Sequence, residues 1–348
     1  MTARAAPATA VEPWPTAAQA RFDPLAEPRG VHTLRGRRGR TLHYLDSGAP
    51  GGRTLVFFGG LGTSVGAFSL TEFARSTRES LGLRAVSVER NGFGRTPFDP
   101  ARGYREGTDD VLDVLAALGI ERFAIVAISG GGPHAAALAA RVPERVISLH
   151  LAAAAAGSAV ARSRAGAELL ADPAALAADP AGFWRYPAGS PVHRIPRFAE
   201  AAAREGARAL GTASGAQALA HEWALLCSEP LPDLRSVRAP TYLYGGAEDE
   251  LVPPEHLALW LAALGGVVTV RSYEGEGHDV QYRHWDQILV DAAGSGGRVL
   301  ICQDGAARLV AEAELEERLA AGATLGLCAW AVGARTARRS TRVEAGNG

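Results

Sequence analysis

Along most of the chain, short runs of apolar residues alternate with segments of helical period. Gly30–Leu34 and Arg40–Leu45, joined across Gly36–Gly39, read as a hairpin. Apolar runs then recur at Thr54–Phe58, Arg84–Val88, Phe123–Ile128, Val146–Leu151, Thr241–Tyr244 and Val267–Ser272, and each is four to six residues long. Runs of that length with no polar alternation fit strands buried on both faces. Between them, Val111, Leu112, Leu115 and Leu118 keep helical spacing. Thr108 is the expected cap and Gly119 the expected stop. Gly130–Arg141 reads as an Ala-rich helix. The alternation predicts an α/β fold with a mostly parallel sheet covered by helices.

The pattern breaks twice. Residues 153–235 are Ala-rich, helical in period and punctuated by Pro173, Pro180, Pro187, Pro191 and Pro196, as expected of a helical insertion over the sheet. Beyond it, Val299–Gln303, the Asp304-Gly305 turn, Arg308–Val310, a helix from Glu312 to Ala321 and a strand at Thr324–Trp330 predict a small C-terminal ββαβ appendage. The expected organisation is therefore a flexible arm (1–28), a core in two pieces (29–152 and 236–293), the insertion (153–235), the appendage (294–332) and a flexible tail (333–348).

Composition narrows the function classes. The 348 residues contain no lysine, so all 36 basic residues are arginine. That excludes chemistry that needs a lysine amine: pyridoxal-phosphate and Schiff-base enzymes, P-loop NTPases and protein kinases. A net charge of −1 provides no global field for nucleic acid or an anionic membrane, and neither is expected as a partner. Three well-separated cysteines, Cys227, Cys302 and Cys328, suggest neither a disulfide framework nor a zinc site. No apolar run reaches membrane-spanning length and the N-terminal stretch has no apolar signal region, so a cytoplasmic location is expected. No metal or cofactor is called for, and the sequence leaves the oligomeric state open.

The densest chemistry lies in Phe123-Ala-Ile-Val-Ala-Ile-Ser129-Gly130-Gly131-Gly132-Pro133, where a strand ends on a serine and a helix begins at once. Small residues flank the serine, as a crowded strand-to-helix turn requires if the hydroxyl is to be exposed. The alternative is an ordinary Gly-rich turn. A serine needs a base, and His278 in Gly277-His278-Asp279 follows the last core strand on a Gly-bearing loop. His134 sits within the helix after Ser129 and is expected to point away from the hydroxyl. His43 and His150 lie in strands, and His193, His221, His256 and His284 carry no loop signature. An acid must orient the base. Asp249 in Gly246-Ala-Glu-Asp249 follows a strand directly, with Glu248 and Glu250 as neighbouring alternatives.

The order Ser129, Asp249, His278 and the elements that carry them resemble the α/β-hydrolase fold family. Phe58-Gly59-Gly60-Leu61-Gly62 resembles the family's H-G-x-x-G oxyanion loop, with Phe in place of His. Glu89-Arg90-Asn91-Gly92-Phe93-Gly94-Arg95-Thr96 resembles its D-R-x-G-x-G-x-S turn. Ala127 stands where the first Gly of G-x-S-x-G is usual. The resemblance spans about 30–152 and 236–292, and it matches the insertion to the family's cap by position only. It implies a serine hydrolase of an ester, thioester or lactone, acting on a small-molecule acyl substrate through an acyl-enzyme on Ser129. It also implies an oxyanion hole from the Gly60 and Gly130 N–H groups. Phe58, Trp184 and Trp223, together with Phe183 and Tyr186, are candidates to line an apolar substrate pocket, against the plainer reading that they are core.

Three other functions compete. Acyl transfer uses the same intermediate. A non-catalytic small-molecule-binding protein on the same scaffold is kept open by Phe58. Gly60-x-Gly62-x-x-x-Gly66, with Glu89 and Arg90 after the next strand, distantly resembles a dinucleotide fingerprint, but that reading leaves Ser129, Asp249 and His278 without a purpose.

Overall fold

The computed structural model describes residues 30–157, 178, 192, 197–326 and 338–344. The main sheet is built from β1 (Val31–Arg35), β2 (Thr41–Ser47), β3 (Arg53–Phe58), β4 (Leu83–Val88), β5 (Phe123–Ile128), β6 (Val146–Ala152), β7 (Thr241–Gly246), β8 (Val267–Tyr273) and β12 (Arg338–Glu344). Their order is β1-β2-β4-β3-β5-β6-β7-β8-β12. The run β4-β3-β5-β6-β7-β8 is parallel throughout, while β1, β2 and β12 pair antiparallel at the edges.

The helices that follow these strands are α1 (Arg75–Ser80), α2 (Tyr104–Ala117), α3 (Gly132–Arg141), α4 (Phe198–Leu210), α5 (Gly215–Ser228), α6 (Glu255–Ala263), α7 (Val280–Arg283), α8 (Trp285–Ala292) and α9 (Leu315–Ala320). Successive residues of a strand face opposite sides of the sheet. Phe57 therefore enters one apolar cluster, with Phe68 and Trp285, and Phe58 enters another, with Val86, Leu115 and Trp260. All six residues of β5 are buried, as the unbroken apolar run requires for a central strand.

Three expectations need correction. Helix α2 starts at Tyr104, not at Thr108. Its first turn is closed by the Glu106 side chain, which accepts the Gly103 N–H at 2.9 Å, and Thr108 lies inside the helix donating its hydroxyl to the Tyr104 carbonyl. The expected tail is not all frayed, because Arg338–Glu344 forms β12 and pairs with β8 from Arg338 opposite Tyr273 to Glu344 opposite Val267. Its sequence lacks an apolar alternation because what it supplies is backbone hydrogen bonding to an open edge. Finally, Cys302 is disulfide-bonded, while Cys227 is free. Wide spacing in sequence does not bar a disulfide where the fold returns the chain to the same place, and β11 (Thr324–Leu325) returns beside Cys302.

The appendage follows the expected pattern. β9 (Arg298–Gln303) and β10 (Ala306–Ala311) form a hairpin closed by Asp304 and Gly305, both at positive φ, and the sheet order is β10-β9-β11. It is tied to the core by Arg271 of β8, fully buried, which pairs with Asp291 at 2.8 Å and reaches Glu312 at 3.2 Å. The arm at 1–28, the residues Phe183, Trp184 and Tyr186, and the last part of the Thr324–Trp330 strand lie outside the described residues.

Candidate active site

Ser129 follows directly on β5 with φ of 50°, a left-handed conformation that a serine adopts only when its surroundings impose it. The turn is crowded from below. A Cβ at Gly131 would lie 2.6 Å from the carbonyl oxygens of both Phe58 and Gly59, so only glycine fits there. Ala127 is fully buried between its strand partners Phe58 and Leu151, and its extra methyl is accommodated.

Two further loops reach the serine from the ends of β7 and β8. His278 Nε2 lies 3.0 Å from Ser129 Oγ, and His278 Nδ1 lies 2.9 Å from Asp249 Oδ2 and 3.1 Å from Oδ1. Asp249 is buried, and its Oδ1 also accepts the Leu251 and Val252 N–H groups at 3.0 and 2.9 Å. Glu248 and Glu250 are exposed, so Asp249 is the carboxylate that meets the ring. The two loops are pinned to each other: Glu248 N–H donates to the Glu276 carbonyl, and a Cβ on Gly246 would collide with that same oxygen.

These neighbours set the charge state of the imidazole. Burial lowers the His278 pKa, but the Asp249 charge, its hydrogen bond and the Asp279 charge together outweigh burial, and the net shift is upward. With Nδ1 donating to Asp249, a neutral ring presents the Nε2 lone pair to the serine hydroxyl. The arrangement can thus take a proton from Ser129 and hold the resulting imidazolium beside a carboxylate.

Gly60 lies against the serine: a Cβ there would sit 3.4 Å from Ser129 Cβ and 3.8 Å from Oγ. Neither the Gly60 nor the Gly130 N–H is hydrogen-bonded to a described residue. Gly130 also stands just before the N-terminus of α3, where backbone N–H groups and the helix dipole favour negative charge.

Phe58 turns its side chain into the core. It is buried with its ring stacked on His134 at 6.1 Å, lining a cavity of about 40 Å³ with Arg90, Arg102 and Glu222 that neither Ser129 nor His278 borders. Trp223 is half-buried against a cluster that includes Leu61, Ala155 and Val252, each on a loop next to the site. Trp184 lies outside the described residues.

The dinucleotide reading fails on Glu89. That side chain is buried and its oxygens accept the Arg95 N–H at 2.9 Å, the Val65 N–H at 3.4 Å and the Thr96 hydroxyl at 3.4 Å, leaving it no exposed edge for a ribose. Among the described residues, no group of three or more His, Cys, Asp or Glu side chains is placed to hold a metal ion, and no helix is long and apolar enough to cross a membrane.

The sequence did not point to several buried charges that build the site's walls. Glu276 pairs with His284 at 2.8 Å and Arg283 at 3.3 Å beneath the histidine loop, and His284 stacks on Tyr273. Glu205 and Glu222, on α4 and α5, reach into the loop after β3. The one signal available was a glutamate on the apolar side of an amphipathic helix.

Comparison with known proteins agrees with this geometry. Residues 53–284 match the family model described as alpha/beta hydrolase fold. A 2-hydroxy-6-oxononadienedioate/2-hydroxy-6-oxononatrienedioate hydrolase of Paraburkholderia phymatum is 35% identical over 130 residues, which is 36% of this chain and 44% of that protein. The match thus spans less than half the length of that curated relative. Among solved structures, a hydrolase from Pseudomonas aeruginosa has a TM-score of 0.58 at 23% identity, covering 76% of this chain and 99% of its own. An enol-lactonase from Burkholderia xenovorans has a TM-score of 0.56 at 21% identity, covering 76% of this chain and all of its own. With a parallel sheet in this strand order, a serine forced into a left-handed turn at the end of β5 and a family match over most of the core, the chain belongs to the α/β-hydrolase fold family.

Proposed function

We propose that the protein is a serine hydrolase that cleaves a small-molecule ester, thioester or lactone through an acyl-enzyme on Ser129. The observation that carries this reading is the unbroken line from Ser129 Oγ to His278 Nε2 (3.0 Å) and from His278 Nδ1 to Asp249 (2.9 Å), set on the strained turn. In the first half-reaction, Ser129 Oγ attacks the acyl carbon while His278 takes its proton. The carbonyl oxygen becomes an oxyanion between the Gly60 and Gly130 N–H groups. Collapse of this intermediate breaks the bond to the leaving group, and His278 returns its proton to that group. Water then repeats the sequence on the acyl-enzyme, with His278 again the base, and Ser129 is regenerated.

The relatives bear on substrate class. One curated relative is a 2-hydroxy-6-oxononadienedioate/2-hydroxy-6-oxononatrienedioate hydrolase, which supports a small-molecule substrate. Catalysis by Ser129 is tested by treating the protein with a fluorophosphonate and locating the adduct by peptide mass spectrometry. A single adduct on Ser129, absent in Ser129→Ala and His278→Ala, is the expected result. An unlabelled wild type that also hydrolyses no activated ester or lactone would refute it.

A further inference from the structure

The loop after β3 is held from the cap side. Its N–H groups end on carboxylates: Gly62 N–H on Glu222 Oε2 at 2.8 Å, and Ser64 N–H on Glu205 Oε1 at 2.9 Å, with the Ser64 hydroxyl on the same oxygen at 2.6 Å. Its carbonyls end on one cation. Arg90 Nη2 donates to the Gly60 carbonyl, to Thr63 Oγ1 at 2.9 Å and to the Thr63 carbonyl at 3.3 Å. Arg90 Nη1 forms an ion pair with Glu222 Oε1 at 2.7 Å, and His134 Nε2 meets that same oxygen at 3.1 Å. Both glutamates are buried, at 1% and 5% exposure, so each carboxylate needs these partners to offset its loss of water.

Gly60 is the point where this network meets the chemistry. A glycine has no side chain to limit its backbone angles, so where its N–H sits depends on how the peptide planes on either side are anchored; the Gly60 carbonyl shares one plane with the Leu61 N–H, and holding it fixes the side of Gly60 that leads into the loop. Here the carbonyl accepts from Arg90 and from the Thr63 hydroxyl at 2.8 Å. Arg90 is in turn held by Glu222 of α5. Phe58, at the head of the loop, has no donor with which to do the same job.

We infer that Glu222 is a positioning residue for the oxyanion hole: through Arg90 on the Gly60 carbonyl and directly through the Gly62 N–H it anchors the loop that follows Gly60, and so holds the Gly60 N–H in place for the oxygen that becomes charged on attack by Ser129. This inference rests on the serine-hydrolase reading. It assigns to a helix of the cap a part in the chemical step, in addition to any part in choosing the substrate.

The test is Glu222→Gln. The amide has the shape of the carboxylate and can still accept the Gly62 N–H, but it leaves Arg90 without its counter-ion. Misplacement of a donor near the reacting atoms should lower kcat on an activated ester about 10- to 100-fold, with KM unchanged within a factor of about two. The Ki of a trifluoromethyl ketone, which forms a tetrahedral adduct on Ser129, should rise by the same factor as kcat/KM falls. The acid limb of the pH profile, set by His278, should stay in place. Thr63→Val removes only the hydroxyl that shares the Gly60 carbonyl, and it should give a smaller loss with the same kcat-only signature. It serves as the second probe if Glu222→Gln does not fold. Folded variants whose kcat and Ki match the wild type would overturn the inference, and so would a loss confined to KM. A wild type that never forms the Ser129 adduct would instead remove the hydrolase reading on which it rests, a distinct outcome.

Discussion

Replacing Asp249 with asparagine changes one atom in the site, and the geometry fixes which one. Oδ1 already accepts two backbone N–H groups, from Leu251 at 3.0 Å and Val252 at 2.9 Å, whereas Oδ2 meets only the His278 ring. Asparagine will therefore keep its carbonyl oxygen on the backbone donors and turn its NH2 toward His278 Nδ1. Two donors cannot face each other, so the ring must move its proton to Nε2, the nitrogen that faces Ser129 at 3.0 Å. A ring protonated there cannot take the serine proton. A loss of about 10⁴ in kcat accompanies this tautomer error in serine proteases, equivalent to about 5.5 kcal/mol at 1.36 kcal/mol per tenfold. A second effect separates lost charge from lost shape. The Asp249 charge holds the His278 pKa above its usual value against burial. Without that charge only burial remains strong, and the acid limb of kcat/KM should move to lower pH. The assay is hydrolysis of an activated ester across pH 5 to 9, with circular dichroism to establish the fold. A folded Asp249→Asn that keeps a tenth or more of the wild-type kcat, or whose limb does not move downward, would refute the assignment of the acid.

Phe58→His, which restores the residue usual in related proteins, should not raise activity. The ring is buried and stacked on His134, so the exchange should cost about 1.5–3 kcal/mol of apolar burial and lower the melting temperature, read by calorimetry, with kcat on an activated ester no higher than wild type. Trp223→Ala opens the cluster that includes Leu61 and Val252 beside the site; across a series of p-nitrophenyl esters the preferred acyl chain should lengthen, while the rate of Ser129 labelling by a small fluorophosphonate stays within a few-fold. A thiol titration in denaturant should find fewer than the chain's three cysteines reactive before reduction and all three after it, because Cys302 is disulfide-bonded.

The elements that the sequence made legible are those whose pattern is local. β5 is an unbroken apolar run and is fully buried, and Asp304-Gly305 closes a hairpin with both residues at positive φ. Ser129, Asp249 and His278 each sit on a short strand-end signature, and three such signatures in order were enough to bring distant residues to one point. The start of α2 was misplaced because the cap is a glutamate reaching back to Gly103, while Thr108 has the chemistry of a cap but bonds within the helix. β12 was illegible because an edge strand pairs through backbone groups, which every residue carries.

The buried charges were hidden for a different reason. Glu89, Glu205 and Glu222 come from separate parts of the chain; Glu205 and Glu222 each read alone as a solvated side chain, and the turn motif that marks Glu89 does not tie it to the loop after β3. All three share a target: the N–H groups of Gly62 and Ser64 in the loop after β3 and of Val65 at the start of the 3-10 helix that follows, which have no preceding turn to bond to and so need partners from elsewhere. A loop that presents free N–H groups to a substrate oxygen must have its other N–H groups satisfied, or it would relax to satisfy them all. Three glutamates take the N–H groups of Gly62, Ser64 and Val65, and Arg90 takes the carbonyl side, while the Gly60 N–H has no partner among the described residues. On the proposed reading, the cost of burying those charges is the physical counterpart of leaving the Gly60 N–H for the substrate oxygen.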